Sequence, residues 1–179
     1  MTEPIYVIGV GLTKFDKPGT KEDDYPDWAR EAATAALSDA GVDYDAVDQT
    51  FTGYCFGDST SGQRAIYGLG LAGIPVVNVN NNCSTGSSAL WLARQTVRGG
   101  LARCVLALGF EKMQRGSLGL KYIDRTNALD RHLQAMAAGR GGWEERPYAS
   151  QTFGDAGREH MERYGSKPEH FAAGLLPAG

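Results

Sequence analysis

Alternation is the tightest limit on what this chain can fold into. Runs rich in β-branched and apolar residues at 5–10, 47–56, 74–79 and 104–110 are separated by stretches of helical spacing at 26–40, 63–71 and 84–98. Strands that follow one another through helices rejoin their sheet by right-handed crossovers. The pattern therefore predicts an α/β fold with a mainly parallel sheet and helices on its faces. Punctuation agrees: Pro26 falls in the first turn of a helix carrying Trp28, Ala32, Ala33, Ala36 and Leu37 on one side, and Gly41 follows its last turn. Gly99 and Gly100 end the third helical stretch in the same way.

Beyond Met113 the texture changes. Residues 114–150 are rich in Gly, Arg and Asp, and their periodicity is poor except at 129–138, which reads as one helix. Phe153, Gly157, Met161 and Tyr164 then fall at amphipathic helical spacing over 153–164. The expected organisation is a core at 1–113, an irregular loop region with a return helix at 114–171, and a short atypical tail at 172–179. No internal repeat is visible.

The chemistry concentrates in Asn80-Asn81-Asn82-Cys83-Ser84-Thr85-Gly86-Ser87-Ser88-Ala89-Leu90, where the third strand gives way to a helix. Gly86, Leu90, Ala93 and Val97 are expected on one face of that helix, which puts Cys83 at or just before its first turn. Unpaired backbone N–H groups and the positive end of the helix dipole favour a thiolate there. The small side chains of Ser84, Thr85 and Gly86 leave room for a carbonyl to approach the sulfur and for N–H groups to hold a developing oxyanion. The competing reading, a small buried cysteine, fits an ordinary core better than a turn crowded with Gly, Ser and Thr.

Other features explain themselves without a site. A formal charge of −3 gives no basic footprint for nucleic acid. Cys55, Cys83 and Cys104 have neither disulfide-scaffold nor metal-ligand spacing, so a reducing compartment and no structural metal are expected. No run is long enough for a membrane span and no signal pattern opens the chain, so the expected location is cytoplasmic. Gly9-Val10-Gly11 lacks the third glycine and helix of a dinucleotide turn. Asp43, Asp45 and Asp48 lack the glycine and glutamate of a calcium loop. The segment 57–62 reads as a polar connection as readily as an anion cradle. His132, His160 and His170 fall in helix or tail positions, where a lone histidine is usually structural or solvated.

The block from Val77 to Leu90, with Arg98-Gly99-Gly100-Leu101-Ala102-Arg103-Cys104-Val105-Leu106-Ala107-Leu108-Gly109-Phe110-Glu111-Lys112-Met113, resembles the thiolase superfamily, and within it the sterol-carrier-protein thiolases. The resemblance starts at Tyr6-Val7-Ile8-Gly9-Val10-Gly11 and runs to about Phe171. It implies a thiolase-like N-terminal half, with 114–150 matching the loop domain that covers the active site. It also implies an acyl-coenzyme A:acetyl-coenzyme A C-acyltransferase that cleaves 3-oxoacyl chains in lipid or sterol side-chain degradation. Cys83 would attack the thioester, Asn82, Ser84, Thr85 and Gly86 would shape the oxyanion and substrate pocket, and Met113 would pack beside the acyl chain. Coenzyme A thioester enters as substrate, and no cofactor is implied.

The resemblance also defines what these residues do not carry. The Gly-His-Pro histidine, the second proton-transfer residue and most of the coenzyme A pocket belong to a C-terminal half whose motifs are absent here. Low independent activity is the expectation, since a positioned acid–base group contributes about 10²–10⁴-fold. Relatives dimerise through the strand before the cysteine, here 74–79, so a homodimer is expected. Two alternatives remain: a non-catalytic lipid-binding or partner subunit whose missing half comes from another chain, and a steroid side-chain retro-aldolase component with a small OB-fold partner.

Overall fold

The structure, a computed structural model, describes residues 4–119 and 121–173. It divides into two compact units, one up to Arg115 and the other from Gly116 onward.

The first unit is built on three parallel strands, β1 (Gln49–Gly53), β2 (Val76–Val79) and β3 (Val105–Gly109), in the order β2-β1-β3. The register pairs Gly53 with Val79 on one side and with Gly109 on the other, so the three carboxyl ends lie level. Side-chain alternation along β1 sorts the core into two layers. Tyr54, Leu108 and Phe110 pack with Ala29, Ala33, Ala65 and Ile66 of helices α1 (Tyr25–Ala40) and α2 (Ser61–Ile66). Phe51 and Val79 pack on the other face with Ala89 and Ala93 of α3 (Thr85–Arg98). Alanines at the helix contacts let the helices lie close to the sheet. Thr50 and Thr52, fully buried on the central strand, bring β-branched shape but hydroxyls with no hydrogen-bond partner.

Helix α1 starts at a capping box: Asp24 accepts from the Tyr25 N–H, and the Asp27 carboxylate accepts from the Asp24 N–H. Gly41, at φ 65°, closes it. Lys112 Nζ donates to Asp24 Oδ1 at 3.0 Å, tying the exit of β3 to the start of α1. That bond, with the Tyr25 N–H, holds the Asp24 carboxyl below the usual carboxylate range.

Three expectations need correction. Residues 5–10 form no strand among the described residues; they lie against α1 instead. Gly9 and Gly11 bring the segment so close that a Cβ would collide with the carbonyl oxygens of Ala36 and Ala32, and the Val10 N–H donates to Asp39 rather than to a strand. Tyr6, Val7, Ile8 and Val10 stay exposed, and a cavity of about 1140 Å³ is lined by this segment and by β3. Secondly, the buried face of α3 carries Thr85, Ala89, Ala93 and Thr96: Ala93 is buried as expected and Val97 is half-buried, but Gly86 and Leu90 are exposed, with Thr85 and Ala89 buried instead. Thirdly, α2 ends at Ile66 rather than at 71, because Gly68 and Gly70 follow, the latter at φ 154°.

The second unit consists of α4 (Asp130–Arg140), α5 (Tyr148–Tyr164) and α6 (Pro168–Ala173). Helix α5 starts five residues before the expected position, directly after Pro147, and Gly165 at φ 69° ends it. Buried Gln151 anchors the α4–α5 connection: its side chain accepts from the Glu144 N–H and donates to the carbonyls of Glu144 and Arg146. Arg140 adds a hydrogen bond to Gln151 and an ion pair to Asp155 at 3.3 Å. Within the expected tail, Ala172 and Ala173 close α6, and 174–179 lie outside the described residues.

Candidate active site

The level carboxyl ends of a parallel sheet are where open α/β domains place their ligands. At that edge β2 leads through Asn80 and Asn81 into a single 3₁₀ turn, Asn82–Ser84, and then into α3. Cys83 occupies the middle of that turn and is exposed to solvent. Ser84 makes no side-chain cap on α3, and no acidic residue falls in the first helical turn. The positive end of the helix is therefore not neutralised by a carboxylate of its own.

A small polar network fixes the turn. Asn82 has φ 47°, a left-handed conformation that asparagine adopts more readily than other non-glycine residues. Thr85 Oγ1 accepts from the Asn81 N–H at 2.8 Å and donates to the Asn82 carbonyl at 2.6 Å. Asn80 Oδ1 accepts from the Asn82 N–H at 3.3 Å, and Asn81 Nδ2 donates to Ser88 Oγ at 2.9 Å. Thr85 itself is buried against Gly53, at the end of the central strand.

Two residues that the sequence alone did not place join this network. Cys55, just past β1, sets its sulfur 3.4 Å from the Asn82 carbonyl, 3.4 Å from Thr85 Oγ1 and 3.5 Å from Asn80 Oδ1. Glu111, just past β3, accepts from two successive backbone donors, the Cys55 N–H at 3.0 Å and the Phe56 N–H at 2.8 Å. They are 56 positions apart in the chain and meet only because β1 and β3 pair in parallel, so no local spacing announces them.

The expected site residues divide accordingly. Asn82, Cys83, Ser84, Thr85 and Gly86 are consecutive and share the turn into α3, with Thr85 buried and the others exposed. A Cβ on Gly86 would meet nothing within 4 Å, so the space beside it is open. Met113 is half-buried and lines the cavity beside residues 5–10, which none of residues 82–86 lines. Cys104 stands at the start of β3, away from the carboxyl edge. Burial, reinforced by nearby Asp48, pushes its thiol up from the ordinary range. Among the described residues no group of three His, Cys, Asp or Glu side chains is placed to hold a metal ion, and no helix is long and apolar enough to cross a membrane.

An exposed cysteine on a strand-to-helix turn, at the carboxyl edge of a parallel sheet, places a thiol where α/β domains of this kind bind their ligands. The chain belongs to the thiolase family: residues 5–169 match "Thiolase, N-terminal domain". It is 60% identical over 170 residues to sterol carrier protein 2 of Oryctolagus cuniculus, a match covering 94% of this chain and 31% of that protein. With non-specific lipid-transfer protein-like 2 of Caenorhabditis elegans it shares 47% identity, over 96% of this chain and 42% of the other. The chain thus spans about a third of the length of the curated relatives it matches. Among solved structures, "Ltp2-ChsH2(DUF35) aldolase" aligns over 89% of this chain and 38% of its own with a TM-score of 0.60 and 22% identity, a likeness of fold.

Proposed function

We propose that the chain supplies the acyl-accepting half of a thiolase-type acyltransferase acting on lipid-derived acyl-coenzyme A, with Cys83 as the nucleophile. The observation that carries this reading is the exposed sulfur on the Asn82–Ser84 turn, at the N-terminus of a helix whose first turn has no acidic residue. The Cys83 thiolate adds to the thioester carbonyl. Backbone N–H groups of the turn and of the first turn of α3 hold the oxyanion. Collapse breaks the carbonyl–sulfur bond to coenzyme A, which leaves as the thiolate and takes up the proton that Cys83 gave up on ionising. The acyl group is then an ordinary thioester on Cys83.

Transfer of that acyl group to or from a second coenzyme A ester needs proton-transfer groups for which these residues contain no family motif. In this reading they come from the remaining part of a full-length protein or from a separate chain. The thiolase family and the sterol carrier relatives favour an acyl chain of lipid or sterol origin. A homodimer through β2 fits its position as an edge strand of the sheet.

Intact mass measurement after incubation with acetyl- and longer acyl-coenzyme A, beside a Cys83→Ala control, tests the reading. One acyl adduct that disappears in the control is the expected result. Folded protein with no adduct would sink independent acyl capture and would favour a partner-dependent subunit.

A further inference from the structure

Cys83 is exposed, yet its backbone is not free to choose its direction. The residue before it, Asn82, takes φ 47°, a left-handed conformation asparagine reaches readily, and its carbonyl is engaged from two sides. Thr85 donates to the Asn82 carbonyl, and the Cys55 sulfur lies 3.4 Å from the same oxygen. Cys55 has no helix or strand of its own to hold it, since β1 ends at Gly53. What fixes it is Glu111, whose two carboxylate oxygens take the N–H groups of Cys55 and Phe56. A carboxylate accepting from two successive amides sets the orientation of the peptide between them.

We propose that Glu111 and Cys55 act in series as positioning residues for the nucleophile. Glu111 fixes the exit of β1, the Cys55 thiol thereby meets the Asn82 carbonyl, and the Asn82 peptide in turn directs Cys83 toward the open space beside Gly86. The argument rests on Cys83 being the reactive thiol. Its test therefore reads that thiol directly, without coenzyme A, so that failure of acyl capture and failure of positioning are separable.

The chain is labelled with limiting iodoacetamide and the modified cysteines are counted by peptide mass. Cys104, whose thiol burial pushes up, serves as a slow internal reference. Four variants are compared with the parent: Glu111→Gln, Glu111→Ala, Cys55→Ala and Cys55→Ser. The expected result is a drop of about tenfold, about 1.4 kcal/mol, in the Cys83 rate for Cys55→Ala and Glu111→Ala alike, because each removes the same contact of the Cys55 sulfur with the Asn82 carbonyl. Glu111→Gln keeps the shape but only one acceptor oxygen, and is expected to fall between the parent and Glu111→Ala. Cys55→Ser retains a donor and restores most of the rate, which loss of packing would not allow.

Melting temperatures are recorded alongside. Should Cys55→Ala fail to fold, the two Glu111 variants carry the test, because the Glu111 side chain is exposed and its loss leaves no cavity. An unchanged Cys83 rate in folded Glu111→Ala, or a Cys55→Ser rate no better than that of folded Cys55→Ala, overturns the proposal. Loss of acyl capture in the parent with these labelling ratios intact would remove the acyltransferase reading and leave the positioning role standing.

Discussion

The most discriminating perturbation is one methyl group at Gly53. A Cβ built there lies 2.6 Å from Thr85 Cγ2 and 3.3 Å from the Thr85 carbonyl oxygen. Thr85 is not free to swing aside: its hydroxyl is committed to the Asn81 N–H at 2.8 Å and to the Asn82 carbonyl at 2.6 Å. If the methyl is forced in, overpacking costs about 1–3 kcal/mol. If Thr85 rotates away, two hydrogen bonds of about 0.5–1.5 kcal/mol each are lost. Both routes centre on about 2 kcal/mol. The reduced freedom of the unfolded chain offsets about 0.4–1 kcal/mol of that. The net of roughly 1 kcal/mol lowers Tm by about 2–4 °C in a chain of this length. Gly86→Ala is the matched control, since nothing lies within 4 Å of its added Cβ and its φ is not left-handed. In a helix, alanine for glycine gains about 0.5–1 kcal/mol, so Tm rises. Differential scanning fluorimetry reads both variants, and iodoacetamide labelling reads Cys83 in each. Shifts of the same sign, or a Gly53→Ala protein with the parent's Tm and Cys83 rate, would refute the claim that the strand end, Thr85 and the nucleophile turn form one rigid contact.

Two further predictions test the frame around the site. Asp48 Oδ2 accepts from the N–H groups of Arg103, at 2.7 Å, and Cys104, at 3.1 Å, and these bonds, the Arg103 one foremost, hold its carboxyl below the usual range. A depressed folded value means the stabilisation is fully present above the unfolded value of about 3.9 and is lost as pH falls below it toward the folded value. Asp48→Asn should therefore melt lower than the parent near neutrality, with the gap closing in acid; a constant gap across a pH series of melts would contradict this. Thr50→Val removes a buried hydroxyl that has no partner and keeps the branched shape on the central strand, so Tm is expected to rise by the equivalent of about 1 kcal/mol. A lower Tm would show that the hydroxyl is satisfied.

The parts of this fold legible in the sequence were those written in one short stretch. Pro26 and Gly41 mark the ends of α1 because φ restriction acts within a few residues, while the Asp24 cap was seen only in the structure. The strand-to-helix turn at Cys83 was readable for the same reason, as were β1, β2 and β3 within two or three residues at each end. What failed depended on contacts between distant residues. The composition of residues 5–10 suits a strand, but Gly9 and Gly11 let the backbone settle on α1, and glycine spacing does not say which surface it will meet. The buried face of α3 keeps the expected Ala93 but not Leu90, which is large and apolar yet exposed, while Thr85 and Thr96 are polar yet buried; Thr96 returns its hydroxyl to the Leu92 carbonyl. Hydrophobicity alone points such a helix the wrong way.

The same distinction separates Cys83 from the residues proposed to position it. Cys83 is visible in sequence because its helix start and its small neighbours adjoin it. Thr85 belongs to that motif by type, but its role as a double hydrogen-bond hub emerges only when Gly53 is seen to press against it. Cys55 and Glu111 follow β1 and β3, which pair with each other, and only Cys55 reaches the turn, through Asn80 and Asn82 at the exit of β2. Cys83 is exposed, so burial of its own side chain does not fix its direction. Its direction has to be imposed through the peptide on its N-terminal side. Holding the Asn82 peptide from the exit of β1, through Cys55, and from the start of α3, through Thr85, is a way to combine an exposed side chain with a fixed backbone.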